Sequence, residues 1–451
     1  MKLTFLGGVG TVTGSKYLIE TNNHRILIDC GLFQGRKDLR RQNWAALPIE
    51  PKSIHAVLIT HAHIDHTGYI PLLVKNGFKG PIYATEATID LCKILLPDSA
   101  HLHEEDARRA NRYGYTKHAP ALPLYTKEDA QKALTHFKAV SFGSPLQILE
   151  DFHATWHRAG HILGASMIHC HSEGTRILFS GDMGRLHDPI MKPPVSIEST
   201  DYLVMESTYE DRLHEVSNPM EKIAEVINRT VKRGGTVLIP AFAVGRAQSI
   251  LYYLSKIKEA KQIPDLPIYL DSPMAIDATQ IMHNHPNDHH LSQEECRLTC
   301  QVAKYVNTPE ESKWLALQPF PKVILSASGM ATGGRILHHL KVFAPNPRNT
   351  ILLTGYQAAE TRGASILEGQ SEIKIHGEMI PVRAEVASIS ELSAHADYEE
   401  ILTWMRGFQS PPRKVFITHG DPKASISLKK HIEERFGWTC SIPEYLTVES
   451  L

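Results

Sequence analysis

Ala56-Val57-Leu58-Ile59-Thr60-His61-Ala62-His63-Ile64-Asp65-His66 runs from an apolar, β-branched stretch directly into an HxHxDH cluster. Four ligand-type side chains within six residues are expensive to bury unpaired, because each polar group then needs a partner. A metal ion satisfies them together. At the extended start of the run His61 and His63 point to the same side, and the loop that follows can turn Asp65 and His66 toward a neighbouring position. One short segment is therefore predicted to serve two adjacent metals.

The same design recurs along the chain. Arg25-Ile26-Leu27-Ile28 ends at Asp29, Arg176-Ile177-Leu178-Phe179 at Ser180-Gly181-Asp182, Tyr202-Leu203-Val204-Met205 at Glu206, and Lys414-Val415-Phe416-Ile417-Thr418 at His419. Such runs read as buried strands. In α/β architectures the chemistry lies just beyond strand ends, on loops held by a rigid sheet, so these acids and histidines are predicted to share one edge. His161, in Gly160-His161-Ile162-Leu163-Gly164, and His395, in Ser393-Ala394-His395-Ala396-Asp397, lie among small residues and join the set. Taken singly, each of these later motifs reads equally well as an ordinary turn.

The middle of the chain has a different texture. Thr236-Val237-Leu238-Ile239, Val323-Ile324-Leu325 and Thr350-Ile351-Leu352-Leu353 are further buried-strand runs with helical patterns between them. That alternation predicts βαβ units and a parallel sheet, read as a separate α/β domain inserted into the first. The strands run into small-residue turns, Pro240-Ala241-Phe242, Ser326-Ala327-Ser328-Gly329 and Gly355-Tyr356-Gln357. These turns either pack tightly or offer backbone N–H groups to an anion at a helix start. The polar stretch from Ser99 to Leu124 is predicted to be helical and to cover one side of the site.

The 451 residues are 42% hydrophobic and 22% charged, enough for two or three ordinary globular domains. A formal net charge of −1 excludes a global basic field, so a polyanion would have to be held by local groups. Histidine is abundant, at 26 residues, and is the commonest metal ligand. The six cysteines form no CxxC pair, a pattern that suits a reducing compartment. Cys296 and Cys300, four apart, are predicted to share a helix face and are read as core thiols. No signal-peptide core and no long apolar span is present, so a cytoplasmic protein with no membrane association is expected.

Together, Asp29, the His61-to-His66 run, His161 and Asp182 resemble the metallo-β-lactamase superfamily; Glu206 in Met205-Glu206-Ser207-Thr208-Tyr209, His395 and His419 are similar to its β-CASP nuclease branch. The likeness covers essentially the whole chain. It implies an α/β fold, a metallo-β-lactamase αββα sandwich with an inserted α/β (β-CASP) domain. The first domain would comprise residues 1–208 and 394–451, and the insert residues 209–393. Histidine at the last position looks like the RNA-processing members.

The resemblance implies two Zn²⁺ ions, with Mn²⁺ as an alternative. His61, His63 and His161 would hold the first, and Asp65, His66 and His419 the second, with Asp182 bridging. Asp29 is out of register for direct ligation and is expected to orient the histidine loop. A hydroxide between the metals would attack RNA phosphorus, in endonuclease or 5′-exonuclease mode. His395 would serve the leaving oxygen and Glu206 would orient His395. Arg246, Ser326, Ser328, Arg335, Gln357 and Arg362 are the phosphate contacts expected in the inserted domain. The expected partner is single-stranded RNA, and a homodimer is allowed because family members self-associate. Other function classes remain open at this point. A DNA nuclease would use the same chemistry, a small-ester or thioester hydrolase would leave Glu206 and His395 without a role, and a non-catalytic RNA-binding scaffold would not need the ligands intact.

Overall fold

The structure, a computed structural model, describes all residues except 23, 115, 117, 210–212, 215–217, 356, 358–359 and 390–391. Tyr356, in one of the glycine turns noted above, falls outside the described residues. The chain divides into two compact units, Met1–Leu213 with His395–Leu451, and His214–Ala394.

The first unit carries two seven-stranded sheets. One runs from edge to edge as Val448–Ser450, Lys2–Phe5, Tyr17–Glu20, Arg25–Ile28, Ala56–Leu58, Ile82–Thr85 and Phe137–Val140. The other runs as Cys440–Ser441, Lys414–Ile417, Tyr202–Met205, Thr175–Phe179, Ser166–Ser172, Phe152–Arg158 and Leu146–Leu149. Alternate side chains point to opposite faces of a strand. Accordingly Leu3, Phe5, Ile26, Ile28 and Leu58 from the first sheet meet Phe152, Trp156, Ile168, Phe179 and Phe416 from the second in one buried core. The intervening positions Leu18, Leu27 and Val57 are buried on the other face. Helix Glu86–Tyr113 lies against Ile82–Thr85 and Phe137–Val140, and helix Pro422–Phe436 lies against Lys414–Ile417. The result is the αββα sandwich.

Parallel pairing explains how distant strand ends become neighbours. Arg25–Ile28, Ala56–Leu58 and Ile82–Thr85 are mutually parallel. In the second sheet Phe179, Val204 and Phe416 share one row of three parallel strands. Asp182, Glu206 and His419 follow that row by two or three residues, so the register itself delivers them to one edge. The helix expected from residue 99 begins earlier, at Glu86. It carries Pro97 inside and is capped by Thr85, whose side chain accepts from the Thr88 N–H.

The second unit contains a six-stranded parallel sheet, Lys304–Tyr305, Ile268–Leu270, Val323–Ser326, Val237–Pro240, Thr350–Thr354 and Glu385–Ile389. Both faces are covered, as a parallel sheet requires. Helices Pro219–Lys232 and Arg246–Glu259 cover one face, and Ile336–Phe343 and Arg362–Leu367 the other. Full burial of both faces is why these strands read as continuous apolar runs. Among the described residues, no helix is long and apolar enough to cross a membrane.

Candidate metal centre

The HxHxDH run leaves its strand at Leu58, and Ile64–Thr67 closes into a single helical turn. His61 and His63 precede the turn, while Asp65 and His66 lie on it, so the two pairs face different points. Nε2 of His61 lies 3.1 Å from Nδ1 of His63, and Nε2 of His161 lies 3.2 Å from that same nitrogen. Nε2 of His66 meets Nε2 of His419 at 3.1 Å, and His419 Nε2 lies 3.4 Å from Asp65 Oδ2. Asp182 stands between the two groups. Its Oδ2 is 3.4 Å from His61 and 3.6 Å from His161, and its Oδ1 is 3.3 Å from both His66 and His419. The seven side chains assigned from sequence therefore converge as two clusters sharing one carboxylate.

These residues fit cations. Oδ1 of Asp182 is buried and accepts no hydrogen bond although two imidazoles lie beside it. An uncompensated buried carboxylate oxygen is costly. Imidazole nitrogens that face one another at about 3 Å repel unless a proton or a cation lies between them. Nitrogen and oxygen donors with no sulfur suit a catalytic divalent ion that keeps an open position.

The charges within the cluster are strongly coupled. Burial drives the charged form of His61 down, helped by neighbouring His66, and burial likewise lowers His63. Burial also opposes charge on His66, yet Asp182 and Asp29 outweigh it and hold that imidazole well above its ordinary range. Burial would raise Asp182, but His419, His66 and His61 hold it well below.

Asp29 does not join the clusters directly. It accepts from the Thr60 N–H and hydroxyl, both at 2.8 Å, and its Oδ2 faces His66 Nδ1 at 2.7 Å. That leaves Nε2 of His66 directed inward, the arrangement by which an outer carboxylate fixes a ligand's tautomer and orientation. Asp29 and His419 both have left-handed backbone, with φ of 56° and 49°. Non-glycine residues are held there only when the surroundings over-determine them, a condition common at functional sites.

Glu206 and His395 form a third element. His395 Nδ1 lies 3.1 Å from Glu206 Oε2, and Glu206 Oε1 accepts from the Met183 N–H. Burial disfavours charge on His395, but the Glu206 carboxylate, followed by Asp182 and Asp65, raises it to about 9. Its ring packs on His161 with centroids 4.4 Å apart. Backbone bridges of Met183 to Gly160 and of Gly184 to His395 lash the Asp182 loop between the two histidines.

Some contributors were not singled out from sequence. Thr60 bonds Asp29 and lies 3.1 Å from His61 Nδ1, while Thr208 lies 3.0 Å from His419 Nδ1. Their position next to a strand-end ligand was the available signal. Gly31 is a stricter requirement, because a Cβ there would stand 1.5 Å from the carbonyl oxygen of Asp65.

The residues expected to contact phosphate gather at the C-terminal ends of the parallel strands in the second unit. Most of their donors serve the fold. Ser326 Oγ donates to the Asp271 carbonyl, and Arg335 binds the Asp271 carboxylate and the carbonyls of Val306 and Asn307. Arg362 binds the carbonyls of Lys374 and Ala331, and Gln357 donates to Gly329. Ser328 Oγ accepts from the N–H groups of Thr332 and Gly333. The Arg246 guanidinium lies beneath Gly355, with Nη2 3.3 Å from where a Cβ would stand.

Comparison with known proteins agrees with this anatomy. Residues 9–224 match the metallo-beta-lactamase superfamily, residues 247–366 the Beta-Casp domain, and residues 379–443 the Zn-dependent metallo-hydrolase RNA specificity domain. The chain is 35% identical over 440 residues to Ribonuclease TTHA0252 of Thermus thermophilus, covering 95% of each protein. The chain belongs to the β-CASP family of the metallo-β-lactamase superfamily. It is also 33% identical over 461 residues to Transcription termination factor FttA of Methanosarcina mazei, covering 96% of this chain and 69% of that one. A crystal structure of a protein of unknown function from Enterococcus faecalis superposes with a TM-score of 0.55 at 14% identity, covering 100% of this chain and 99% of that one, a likeness of fold. As a β-CASP protein the chain is a metal-dependent hydrolase of the nuclease class.

Proposed function

We propose that this β-CASP protein is a zinc-dependent ribonuclease that hydrolyses phosphodiester bonds of single-stranded RNA. The observation that carries the reading is the pair of donor clusters sharing Asp182, with the hydrogen-bonded His395–Glu206 pair beside them and the His395 ring packed against His161. His61, His63 and His161 would hold one Zn²⁺, Asp65, His66 and His419 the other, and Asp182 both; Mn²⁺ suits the same donors. When bound, such a pair supplies an ionised water at neutral pH and neutralises phosphate oxygens. The chain's own residues do the rest. Glu206 fixes His395 through Nδ1, which leaves Nε2 to donate to the departing ribose oxygen. Burial of His61, His66 and Asp182 excludes bulk water from the donor set.

RNA as substrate is supported by the RNA specificity domain match and by the names of the relatives, a ribonuclease and a transcription termination factor. Of the phosphate contacts expected from sequence, Ser326, Arg335, Arg362 and Gln357 donate to backbone carbonyls or to Asp271, which weakens their claim to phosphate. The test is incubation with end-labelled linear and circular RNA, matched DNA and a thioester, before and after chelation and Zn²⁺ or Mn²⁺ restoration. Metal-dependent loss of RNA alone is expected, and opening of the circle would establish endonuclease action. Preferential DNA or thioester hydrolysis would refute the assignment.

A further inference from the structure

We propose that His283, His289, Cys296 and Cys300 form a second, structural zinc site within the inserted unit, independent of the ribonuclease reading. Helix Pro273–Asn284 ends near His283, a short connection carries His289, and helix Gln293–Gln301 presents Cys296 and Cys300 one turn apart. The two thiols share the expected helix face, with Cys296 buried and Cys300 half-buried. One donor atom each from His283, Cys296 and Cys300 lies within 4.8 Å of the others. Cys296 Sγ is 3.7 Å from His283 Nδ1, and His289 interacts with Cys296 while lying outside the tight group of those three donors.

His289 provides the independent observation. It is only 2% exposed, its Nε2 faces the Met282 carbonyl oxygen at 3.2 Å, and its Nδ1 is buried without a hydrogen-bond partner. A ring that donates one N–H to a backbone carbonyl presents a bare lone pair on the other nitrogen, the usual state of a metal-binding histidine. The carbonyl thus selects the tautomer, and the orphaned nitrogen is explained if it closes onto the ion from the Cys296 side as the fourth ligand when metal binds. The order His283-x5-His289-x6-Cys296-x3-Cys300 combines the spacings of structural zinc ligands, C-x₂₋₄-C and H-x₃₋₅-H, in reversed order. Two soft thiolates with two imidazoles select Zn²⁺ over the hard cations. On binding, each coordinating thiol releases its proton to solvent and no redox change occurs. The ion would tie two helices and their connection together, as closed four-ligand sites do.

Cobalt(II) titration of the reduced, metal-depleted full chain tests this, because thiolate ligation gives an intense near-ultraviolet charge-transfer band that a histidine–carboxylate site cannot give. The expected result is one equivalent of band-forming cobalt per chain, displaced by stoichiometric Zn²⁺ and retained in Asp182→Ala. Cys296→Ser/Cys300→Ser should lose the band and one metal equivalent, with a lower melting temperature. His289→Ala should weaken cobalt binding at least tenfold. Absence of the band in the wild-type chain, its survival in the cysteine variant, or a Cys296–Cys300 disulfide in freshly purified protein would overturn the site. None of these readouts requires nuclease activity.

Discussion

Replacing Glu206 by glutamine should convert the nuclease from one tolerant of alkaline pH to one that fails above neutrality. The glutamine carbonyl can still accept from Met183, and its NH₂ then faces His395 Nδ1 as a donor where the carboxylate was an acceptor. That exchange favours neutral His395 twice, by removing the negative charge and by occupying the nitrogen that held the proton. In the wild type the imidazole stands at about 9 rather than 6.5, a difference of roughly 3 kcal/mol in favour of the charged form. Because the folded value is raised, the contribution is fully present below 6.5 and is lost as pH rises through about 9. If the variant returns to the ordinary histidine value, the protonated fraction at pH 8 drops from about nine-tenths to about 3%, roughly a thirtyfold loss of general acid. At pH 6 about three quarters remains protonated, and the loss stays under about twofold. Bound cations lower both values together, so the separation between the two profiles is the measured quantity. The assay is kcat/KM on labelled RNA from pH 5.5 to 9.5, with metal content checked at each end. A pH-independent loss, or an alkaline limb in the same place for both proteins, would show that Glu206 does not act by holding the proton on His395.

Three further outcomes follow from the metal centre. Asp182→Ala removes the oxygen atoms shared by both clusters; metal per chain measured by plasma mass spectrometry should fall, with activity down by more than about a hundredfold, beyond the range for losing an outer partner. Asp29→Asn keeps its size but weakens its hold on Thr60 and His66, so Zn²⁺ affinity should drop about 10- to 100-fold in competition with a chelating dye; unchanged affinity would remove Asp29 from the site. Gly31→Ala puts a methyl group 1.5 Å from the Asp65 carbonyl oxygen, so the helical turn must move. Both the melting temperature and the metal content should fall, and a fully loaded Gly31→Ala protein of normal melting temperature would contradict the close approach.

The local sequence determined a good deal. Continuous apolar runs identified the strands flanking the ligands because both faces of those strands are buried, and the HxHxDH run identified a metal segment because packing offers no economical use for four such side chains in six residues. His161, Asp182, His395 and His419 are ambiguous one at a time, since a polar residue among small residues is an ordinary turn until its neighbours are known. Tertiary structure decided the rest. Parallel register, placing Phe179, Val204 and Phe416 in one row, brings Asp182, Glu206 and His419 to a common edge. Folding also engaged Arg335 and Arg362 with backbone carbonyls and Asp271, a use their charge alone did not announce. It placed His283 beside two cysteines, and His289 beside Cys296, where spacing alone looked like core packing. Pattern reports which face of an element is buried; which polar groups meet across elements depends on register and crossover, and those are settled only when the whole chain packs.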